Sequence, residues 1–496
     1  MSKEIIARQL GDLLTIFIAS ILSNIIFSGD LQFYDLIILS TSLFLLVSII
    51  IIPIFNLKGI YTYARQLEKI KKFKKIINVT LISWLILFGT LFIFNLYFKL
   101  SFNFTDLIFS EISFTIFFAG IGFTLSRILA YTYVDNTYKR ANNSVLANRV
   151  LVIGGAGYIG SSLVSQLLER GYKVRILDIL LFGTDPIKKH LDNPNLEIIK
   201  GDFRKIDDLC LAVENCFCVV HLGGIVGDPA CSVDEKLTIE INLTATKTIG
   251  QIAKSAGVQK FIFASSCSVY GAQDTLLDES SETKPLSLYA NTKIASERIL
   301  DKLSDDNFTP IFLRFGTVYG FSGRTRFDLV VNLLTANALR KKTMTVFGKD
   351  QIRPFVHVND AAYSVICAIK SKLSNSSSSH VFNVGSNAQN SSLHKLAKLI
   401  QVNLPDSEII IEKEGHDARN YNVSFNKIES GLGFTAKWTL DEGIKQVINK
   451  MRDREIDDYT LSKYSNLKHL HEEGLKVLTE EESIRWEEML LDETYE

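Results

Sequence analysis

A short apolar run followed by three glycines constrains the fold of this chain more than any other feature. The run RVLVI at residues 149–153 has the composition of a strand that is buried on both faces of a parallel sheet. Gly154, Gly157 and Gly160 follow it at three-residue spacing. In that order, glycines permit a tight turn, close approach of the backbone to a pyrophosphate, and close packing of a helix. The stretch therefore predicts a strand, a glycine turn and a helix whose N-terminal amides face a phosphate group.

An acidic residue stands where the second half of a dinucleotide-binding fingerprint belongs, about 20 residues further on. Residues 173–177 (KVRIL) are predicted as the second strand, and Asp178 follows them. A carboxylate there accepts hydrogen bonds from both ribose hydroxyls and repels a 2′-phosphate. The pattern favours NAD over NADP, and the alternative is a solvated turn aspartate.

Apolar runs and helical segments continue to alternate along the chain. Further strands are predicted at residues 196–199, 217–221, 260–264 and 310–315. This alternation is typical of an α/β protein with a doubly wound parallel sheet and right-handed crossovers. Ligands of such sheets bind at the carboxyl ends of the strands.

The strand ends supply the remaining candidates for the cofactor site. Asp202 is predicted to hold the adenine amino group, with an ordinary turn carboxylate as the alternative. Asn242 is predicted to line the nicotinamide side, with helix capping as the alternative. The other candidates are neighbours of these motifs, namely Tyr158, Ile159, Phe203, Leu222, Gly223, Gly224 and Phe315.

A hydroxyl cluster and a Tyr-x-x-x-Lys pair indicate proton chemistry. The fifth predicted strand ends in SSCSVYG, which contains Ser266, and YANTK opens the next helix with Tyr289 and Lys293. The i and i+4 spacing puts the phenol and the ammonium on one helical face. A phenol is a poor base at neutral pH, and a neighbouring cation favours its ionised form. The pair is therefore predicted to be a proton relay.

Four apolar stretches precede the glycine turn. They cover roughly residues 10–27, 33–55, 76–98 and 107–131, and each is about long enough to cross a ~30 Å hydrocarbon layer as a helix. The connection 58–75 carries seven basic residues against the single acid Glu68. The positive-inside rule then places this connection and both termini in the cytoplasm, in the manner of a bacterial inner-membrane protein. Contact of the basic connection with anionic head groups is a less favoured explanation.

Charge and cysteine content exclude several classes of protein. The formal net charge is zero, so no nucleic-acid partner is expected. All six cysteines lie beyond the membrane segments and are expected to be reduced thiols. Cys216 and Cys218 have no second pair at zinc spacing, so we expect buried apolar thiols and no metal site.

Taken together, GGAGYIG, KVRILD, KGDF, SSCSVYG, YANTK, LRFGTVYG and RPFVHVND resemble the extended short-chain dehydrogenase/reductase family. Within that family the chain is most similar to the NAD-dependent nucleotide-sugar epimerases and dehydratases typified by UDP-glucose 4-epimerase. The resemblance covers about residues 149–457. It implies a Rossmann domain at 149–320 and a mainly substrate-binding region at 321–455. A four-helix membrane domain at 1–140 and an acidic tail at 456–496 complete the predicted organisation.

The resemblance also implies roles for individual residues. Tyr289 takes the proton from a sugar hydroxyl, Lys293 lowers the pKa of the phenol and holds the nicotinamide ribose, and Ser266 hydrogen-bonds the reacting oxygen. Arg353 matches an arginine that contacts the substrate diphosphate, with a structural salt bridge as the alternative. Arg419 lies where a second such arginine is often found, although its surroundings depart from the usual Arg-Pro-Gly-Asp form.

The expected activity is epimerisation, most directly at C4 of a UDP-sugar for surface polysaccharide or glycolipid synthesis. A 4,6-dehydratase of this family uses an Asp-Glu pair where Cys267 and Ser268 stand here, which disfavours dehydration. A polyprenyl-diphosphate-linked sugar as substrate, a net oxidoreductase and a non-catalytic NAD-binding scaffold stay open, as does a homodimer. The acidic tail is expected to be a solvated amphipathic helix, with docking of a glycosyltransferase as the alternative.

Overall fold

The computed structural model describes residues 3–27, 33–57, 77–78, 80–82, 85–86, 110–123, 125, 148–347, 350–373, 380–412 and 421–479. The chain divides into two compact units, Met1–Ala141 and Asn142–Glu496. Arg419, the basic connection 58–75 and the tail beyond residue 479 lie outside the described residues.

Besides the apolar helix Ser110–Phe123, the longer described helices, in chain order, are α1 (Lys3–Phe27), α2 (Phe33–Leu57), α3 (Tyr158–Glu169), α4 (Ile206–Val213), α5 (Ala245–Ser255), α6 (Leu288–Asp301), α7 (Val330–Lys341), α8 (Val358–Lys370), α9 (Leu393–Asn403), α10 (Asn426–Leu432) and α11 (Leu440–Arg452). Shorter helical turns include Asp228–Cys231, Glu240–Thr244 and Asn466–His469.

The described strands are β1 (Arg149–Ile153), β2 (Lys173–Asp178), β3 (Leu196–Lys200), β4 (Cys218–His221), β5 (Lys260–Ser266), β6 (Leu276–Leu277), β7 (Thr309–Phe315), β8 (Thr317–Tyr319), β9 (Thr343–Phe347), β10 (Ile352–His357), β11 (His380–Val384), β12 (Asn390–Ser392), β13 (Glu408–Glu412) and β14 (Asn422–Val423).

The first unit contains part of the predicted membrane segment. Among the described residues, Gln9–Ile26 is the stretch of helix long and apolar enough to cross a membrane, and Ser40–Pro53 and Ser110–Phe123 are shorter apolar helices. The predicted span 76–98 and the end of the span 107–131 fall largely outside the described residues. Four membrane helices therefore stay a prediction.

A seven-stranded parallel sheet organises the second unit. Its order is β11-β7-β5-β4-β1-β2-β3, and every neighbouring pair is parallel. Val150 and Val152 of β1 face one core cluster, and Leu151 and Ile153 face the cluster on the opposite side. The predicted doubly wound sheet is confirmed, and the order reverses between β1 and β4, where such sheets bind ligands.

The region after residue 320 is interleaved with this sheet. β11 adds the seventh strand by pairing with β7. The three-stranded sheet β12-β10-β8 and the pairs β13-β9 and β14-β6 form the remainder. Leu334, Leu396 and Ile444, from α7, α9 and α11, share one buried apolar cluster there.

Candidate active site

The glycine turn after β1 has the geometry of a phosphate cradle. Gly154 has φ +81°, and its amide donates to the Leu177 carbonyl at 3.0 Å. A Cβ at Gly154 would lie 2.8 Å from the Gly223 nitrogen, and a Cβ at Gly160 would lie 2.2 Å from the Gly154 oxygen. Any side chain at these two positions would push the turn apart, which the sequence spacing had predicted.

Helix α3 starts with its first amides directed toward this turn. Gly157 is the N-cap and has no side chain that could accept from those amides. The Tyr158 side chain leaves the cradle, and its hydroxyl donates to the Gly320 carbonyl at 2.7 Å. Ile159 packs at the edge of the core. The N-terminal amides of α3 are therefore suited to a pyrophosphate.

Asp178 closes the ribose side of the same turn. Its Oδ2 accepts from the Ala156 amide at 2.9 Å, and its Oδ1 accepts from the Leu180 amide at 2.8 Å. Burial raises the pKa of this carboxyl, and the two backbone hydrogen bonds oppose that effect. A carboxylate held at the end of β2 beside a glycine cradle fits the adenosine ribose of NAD.

At the end of β3 the structure engages Asp202 in a contact that the sequence did not predict. Arg204 donates from Nε to its Oδ2 at 2.8 Å, and the Arg204 amide donates to its Oδ1 at 2.8 Å. Contact between Asp202 and the adenine amino group therefore stays a prediction. The Asp202 carboxylate already pairs with Arg204. Phe203 packs against the next loop, where a Cβ at Gly223 would meet its ring at 2.8 Å.

Asn242 shapes the loop after β4. Its Oδ1 accepts from the Ile225 amide at 2.9 Å, and its Nδ2 donates to the Ile225 carbonyl at 2.9 Å. A Cβ at Gly224 would lie 2.8 Å from Oδ1. The side chain thus holds the loop that contains Leu222 and Gly224 instead of capping a helix.

Ser266, Tyr289 and Lys293 come together at the carboxyl end of β5. The Ser287 hydroxyl accepts from the Ala290 amide at 3.2 Å and starts α6 there. The Lys293 Nζ donates to the Ala264 carbonyl at 2.8 Å and lies 5.7 Å from the centre of the Tyr289 ring. Ser266 lies close enough to Tyr289 to affect the pKa of the phenol, and its own hydroxyl accepts from the Ser268 amide at 3.1 Å. Phe315 is the neighbour of Ser266 across β5 and β7.

The electrostatics of this cluster differ from the sequence prediction. Burial raises the pKa of Tyr289, whereas the Arg326 charge and the nearby Ser266 hydroxyl lower it. Burial also lowers the pKa of Lys293 to about 8. Burial therefore sets the direction of the Tyr289 shift, and the cation that opposes it is Arg326, whereas the expected lowering by Lys293 stays a prediction.

Arg326 is a residue of this site that the sequence reading missed. It belongs to the loop after β8, and its guanidinium pairs with Asp328 through Nε to Oδ1 at 2.9 Å. Its Nη2 lies 3.9 Å from the place of a Cβ at Gly227. Residues 321–351 were assigned only in general to the substrate, because no local pattern shows that Arg326 comes near enough to Tyr289 for its charge to lower the phenol pKa.

Arg353 begins the substrate side at β10. Its side chain is buried, and its guanidinium carbon lies 5.6 Å from the centre of the Tyr421 ring. Nη2 donates to the Gln351 side chain at 3.3 Å. Contact with a diphosphate stays a prediction for Arg353.

The cysteines are free thiols. Five are buried, and Cys210 is partly exposed. Burial raises the pKa of Cys231, which lies in the apolar cluster against which Tyr289 packs, to about 12. Within the described part of the chain, no three His, Cys, Asp or Glu side chains are grouped so that they could hold a metal ion.

The fold and this site together define a dinucleotide-binding enzyme of the doubly wound class. A model of the NAD dependent epimerase/dehydratase family matches residues 150–385. A putative UDP-glucose 4-epimerase of Methanocaldococcus jannaschii is 30% identical over 315 residues, which are 61% of this chain and 98% of that protein. The low-salt glycan biosynthesis protein Agl12 of Haloferax volcanii is 25% identical over 316 residues, which are 60% of this chain and 97% of that protein.

Solved structures agree with these relatives. MoeE5 in complex with UDP-glucuronic acid and NAD has a TM-score of 0.55 and 28% identity, and the match covers 62% of this chain and 99% of MoeE5. The chain therefore belongs to the NAD-dependent epimerase/dehydratase family and is an NAD-dependent enzyme. The resemblance predicted from its motifs is confirmed at the level of this family.

Proposed function

We propose that this enzyme is a nucleotide-sugar 4-epimerase that keeps its NAD through each catalytic cycle. The observation that carries the proposal is the gathering of Ser266, Tyr289 and Lys293 at the carboxyl end of β5. Lys293 Nζ donates to the Ala264 carbonyl at 2.8 Å and lies 5.7 Å from the centre of the Tyr289 ring, and Ser266 is close enough to affect the pKa of Tyr289. The name of the Methanocaldococcus relative, a putative UDP-glucose 4-epimerase, supports the reaction. MoeE5, solved with UDP-glucuronic acid and NAD, supports the class of substrate.

Ser266, Tyr289 and Lys293 each have a separate role in the proposed reaction. Tyr289 takes the proton of the sugar hydroxyl through its phenolic oxygen and later returns a proton to the same oxygen. Ser266 donates to that oxygen and holds it beside Tyr289. NAD, when bound, accepts hydride from the sugar carbon and gives it back. Arg326 supplies positive charge that favours the ionised phenol, and Lys293, whose Nζ lies 5.7 Å from the centre of the Tyr289 ring, is placed to do the same.

Dehydration is the less favoured reaction because the neighbouring side chains cannot do acid–base work at two carbons. Cys267 is fully buried, and its Sγ faces the Arg314 carbonyl at 3.2 Å. The Ser268 hydroxyl donates to Ser266 at 2.9 Å. Burial raises the pKa of the Cys267 thiol well above neutral pH, so neither residue replaces a carboxyl pair.

Product analysis tests the proposal. The purified enzyme is incubated with UDP-glucose, UDP-N-acetylglucosamine and their polyprenyl-diphosphate-linked counterparts, without added NAD. We expect the 4-epimer of a UDP-sugar. Accumulation of NADH would indicate a net oxidoreductase, a 4-keto-6-deoxy sugar would indicate a dehydratase, and turnover of the lipid-linked sugars alone would change the substrate class.

Asp178→Ser is expected to relax the preference for NAD over NADP by about tenfold or more, since the change removes a repelling carboxylate worth on the order of 1–2 kcal/mol. Dissociation constants of the two cofactors, measured on protein freed of bound cofactor, check this result. Asp185→Ser, an exposed acid in the following loop, is the control. An unchanged ratio in Asp178→Ser would remove the ribose role.

The membrane anchor is a second part of the proposal. In the first unit several buried side chains are polar, with Asp12, Ser23 and Asn24 all at 0% exposure, whereas Leu10 and Ile49 are 60% and 71% exposed. Asn24 donates to the Ser40 hydroxyl at 2.9 Å. Polar residues facing inward and apolar residues facing outward are typical of helices in lipid.

We expect the protein to stay in the membrane pellet after alkaline carbonate extraction, with the catalytic unit accessible from the cytoplasmic side. Release of the protein by carbonate would contradict the anchor.

A further inference from the structure

The segment 459–479, called the C-terminal strap below, lies across the loops that hold the cofactor. His469 contacts the loop after β2, where its Nε2 lies 3.1 Å from the Leu181 carbonyl oxygen. Arg204, in the loop after β3, donates to the Leu478 carbonyl at 2.9 Å. Asn466 donates to the Val226 carbonyl, in the loop after β4, at 3.1 Å. The strap therefore touches all three loops that follow the ribose, adenine and nicotinamide strands. The described part of the tail is helical after residue 470 and its polar side is exposed, whereas its apolar side packs against the protein.

The strap also contacts the loop after β8, on the predicted substrate side of the site. The Asn466 amide donates to Asp328 Oδ2 at 2.9 Å, and the Phe327 amide donates to the Tyr464 carbonyl at 2.8 Å. Asp328 is the partner of Arg326, which lies near Tyr289. The strap thus connects the cofactor loops to the loop after β8.

An apolar contact lies beneath the strap. Leu470 and Leu478 are buried in one cluster with Ile225 and other side chains of the segment 225–241. Phe203 and Tyr289 pack against the same cluster. The strap therefore covers side chains of the predicted adenine pocket and of the proposed catalytic base together.

Arg324 is a buried cation that contacts the strap, and two of its N–H groups have no hydrogen-bond partner among the described residues. Only 5% of it is exposed, and its guanidinium stacks on Phe182 at 3.8 Å. Nη1 donates to Asn466 Oδ1 at 2.6 Å, whereas Nε and Nη2 have no hydrogen-bond partner among the described residues. Burial lowers its pKa to about 9, because desolvation of an incompletely paired charge is unfavourable.

The neighbours of Arg324 indicate which anion would pair with it. Phe182 lies four residues after Asp178, on the ribose side of the groove. The Tyr158 side chain extends from α3 to this loop, where its hydroxyl donates to the Gly320 carbonyl at 2.7 Å. Arg324 therefore lies against the loop that follows Asp178, in a region connected to the helix that starts the phosphate cradle, and the anion expected in this groove is the pyrophosphate of the dinucleotide. A planar guanidinium with two open donors suits a phosphate.

We propose that the C-terminal strap is part of the cofactor site: it opens to admit NAD, closes over it through Asn466 and the two leucines, and brings Arg324 onto the phosphates. This inference goes beyond the sugar chemistry, since it concerns cofactor retention alone. An enzyme that regenerates NAD in every cycle has no need to release it, whereas a net oxidoreductase must exchange it.

The release of NAD from the full-length protein in detergent tests the strap. Protein loaded with labelled NAD is mixed with excess unlabelled NAD, and the label that stays bound is followed over time. Leu470→Ser/Leu478→Ser and Asn466→Ala are expected to release NAD about 10- to 100-fold faster than the unaltered protein. Val477→Ser is the matched control, since Val477 lies on the same segment but is exposed. Equal release rates in all four proteins would overturn the proposal.

Fragment binding tests Arg324. Arg324→Met is expected to weaken binding of ADP-ribose about 10- to 100-fold, by loss of charge-assisted hydrogen bonds, and to leave adenosine binding unchanged. Arg324→Lys keeps the charge, and its affinity for ADP-ribose is expected to lie between those of the unaltered protein and of Arg324→Met. The lysine variant therefore decides the result if the methionine variant does not fold. Weaker binding of UDP with unchanged ADP-ribose binding would assign Arg324 to the substrate and overturn the proposal, as would no change in either.

Discussion

Tyr289→Phe is expected to lower turnover by about 10²- to 10⁴-fold, the usual contribution of a positioned acid–base group, while the bound NAD stays in place. The aromatic ring packs against the cluster that contains Ile225 and Leu470, and phenylalanine keeps this contact. The hydroxyl near Ser266 is the part that is lost. The measurement is the turnover number of the purified variant together with its NAD content.

Tyr172→Phe provides the control for this prediction. Tyr172 precedes β2 and is only partly buried, and we expect the loss of its hydroxyl to leave turnover within about twofold, as for most substitutions away from a site. A Tyr289→Phe enzyme that keeps more than a tenth of the activity would exclude Tyr289 as the proton acceptor. Loss of NAD from that variant would instead assign the hydroxyl to cofactor binding.

Arg314→Met is expected to destabilise the catalytic unit by about 3–5 kcal/mol, because it leaves the Glu297 carboxylate buried without its cation. The pair is joined by Nη2 to Oε2 at 2.6 Å, and both side chains are 5% exposed. Arg314 Nε donates to Oε1 at 3.0 Å, and the Ser265 hydroxyl donates to the same carboxylate. The free energy of unfolding, measured by denaturant titration in detergent, gives the size of the effect.

Two further variants separate the buried charge from simple loss of an arginine. Arg340→Met removes an exposed arginine whose Nη2 donates to the Met451 carbonyl at 3.2 Å, and we expect a cost of about 1 kcal/mol. Arg314→Met combined with Glu297→Leu is expected to recover part of the stability, since no unpaired charge is left. If Arg314→Met costs no more than Arg340→Met, the ion pair does not stabilise the sheet beneath the active site.

The strand ends and the glycine turn could be predicted from sequence because their signals are local. The apolar run of β1 alternates between two cores, and the φ of +81° at Gly154 needs a residue without a Cβ. Spacing of four residues on one helix was enough to bring Tyr289 and Lys293 together. Their approach to Ser266 followed from the parallel order of the strands.

The missed contacts join residues that are far apart in the chain. The contact of Arg324 with Asn466 spans 142 positions, and that of Arg204 with Leu478 spans 274 positions. No periodicity or motif reports such a pairing, because the acidic residues around the strap leucines are equally typical of a solvated helix. The direction of the Tyr289 pKa shift was missed for a related reason, since burial depends on segments that pack from elsewhere in the fold.

The fate of the hydrogen at C4 of the sugar tests the proposed 4-epimerase reaction most directly. UDP-glucose carrying deuterium at C4 is given to the purified enzyme without added NAD, and the products are identified by mass and by NMR. We expect the 4-epimer with deuterium still at C4, because Tyr289 moves only the hydroxyl proton while the hydride leaves and returns at one carbon. Transfer of deuterium into released NADH, or a 4-keto-6-deoxy product in place of the epimer, would contradict it.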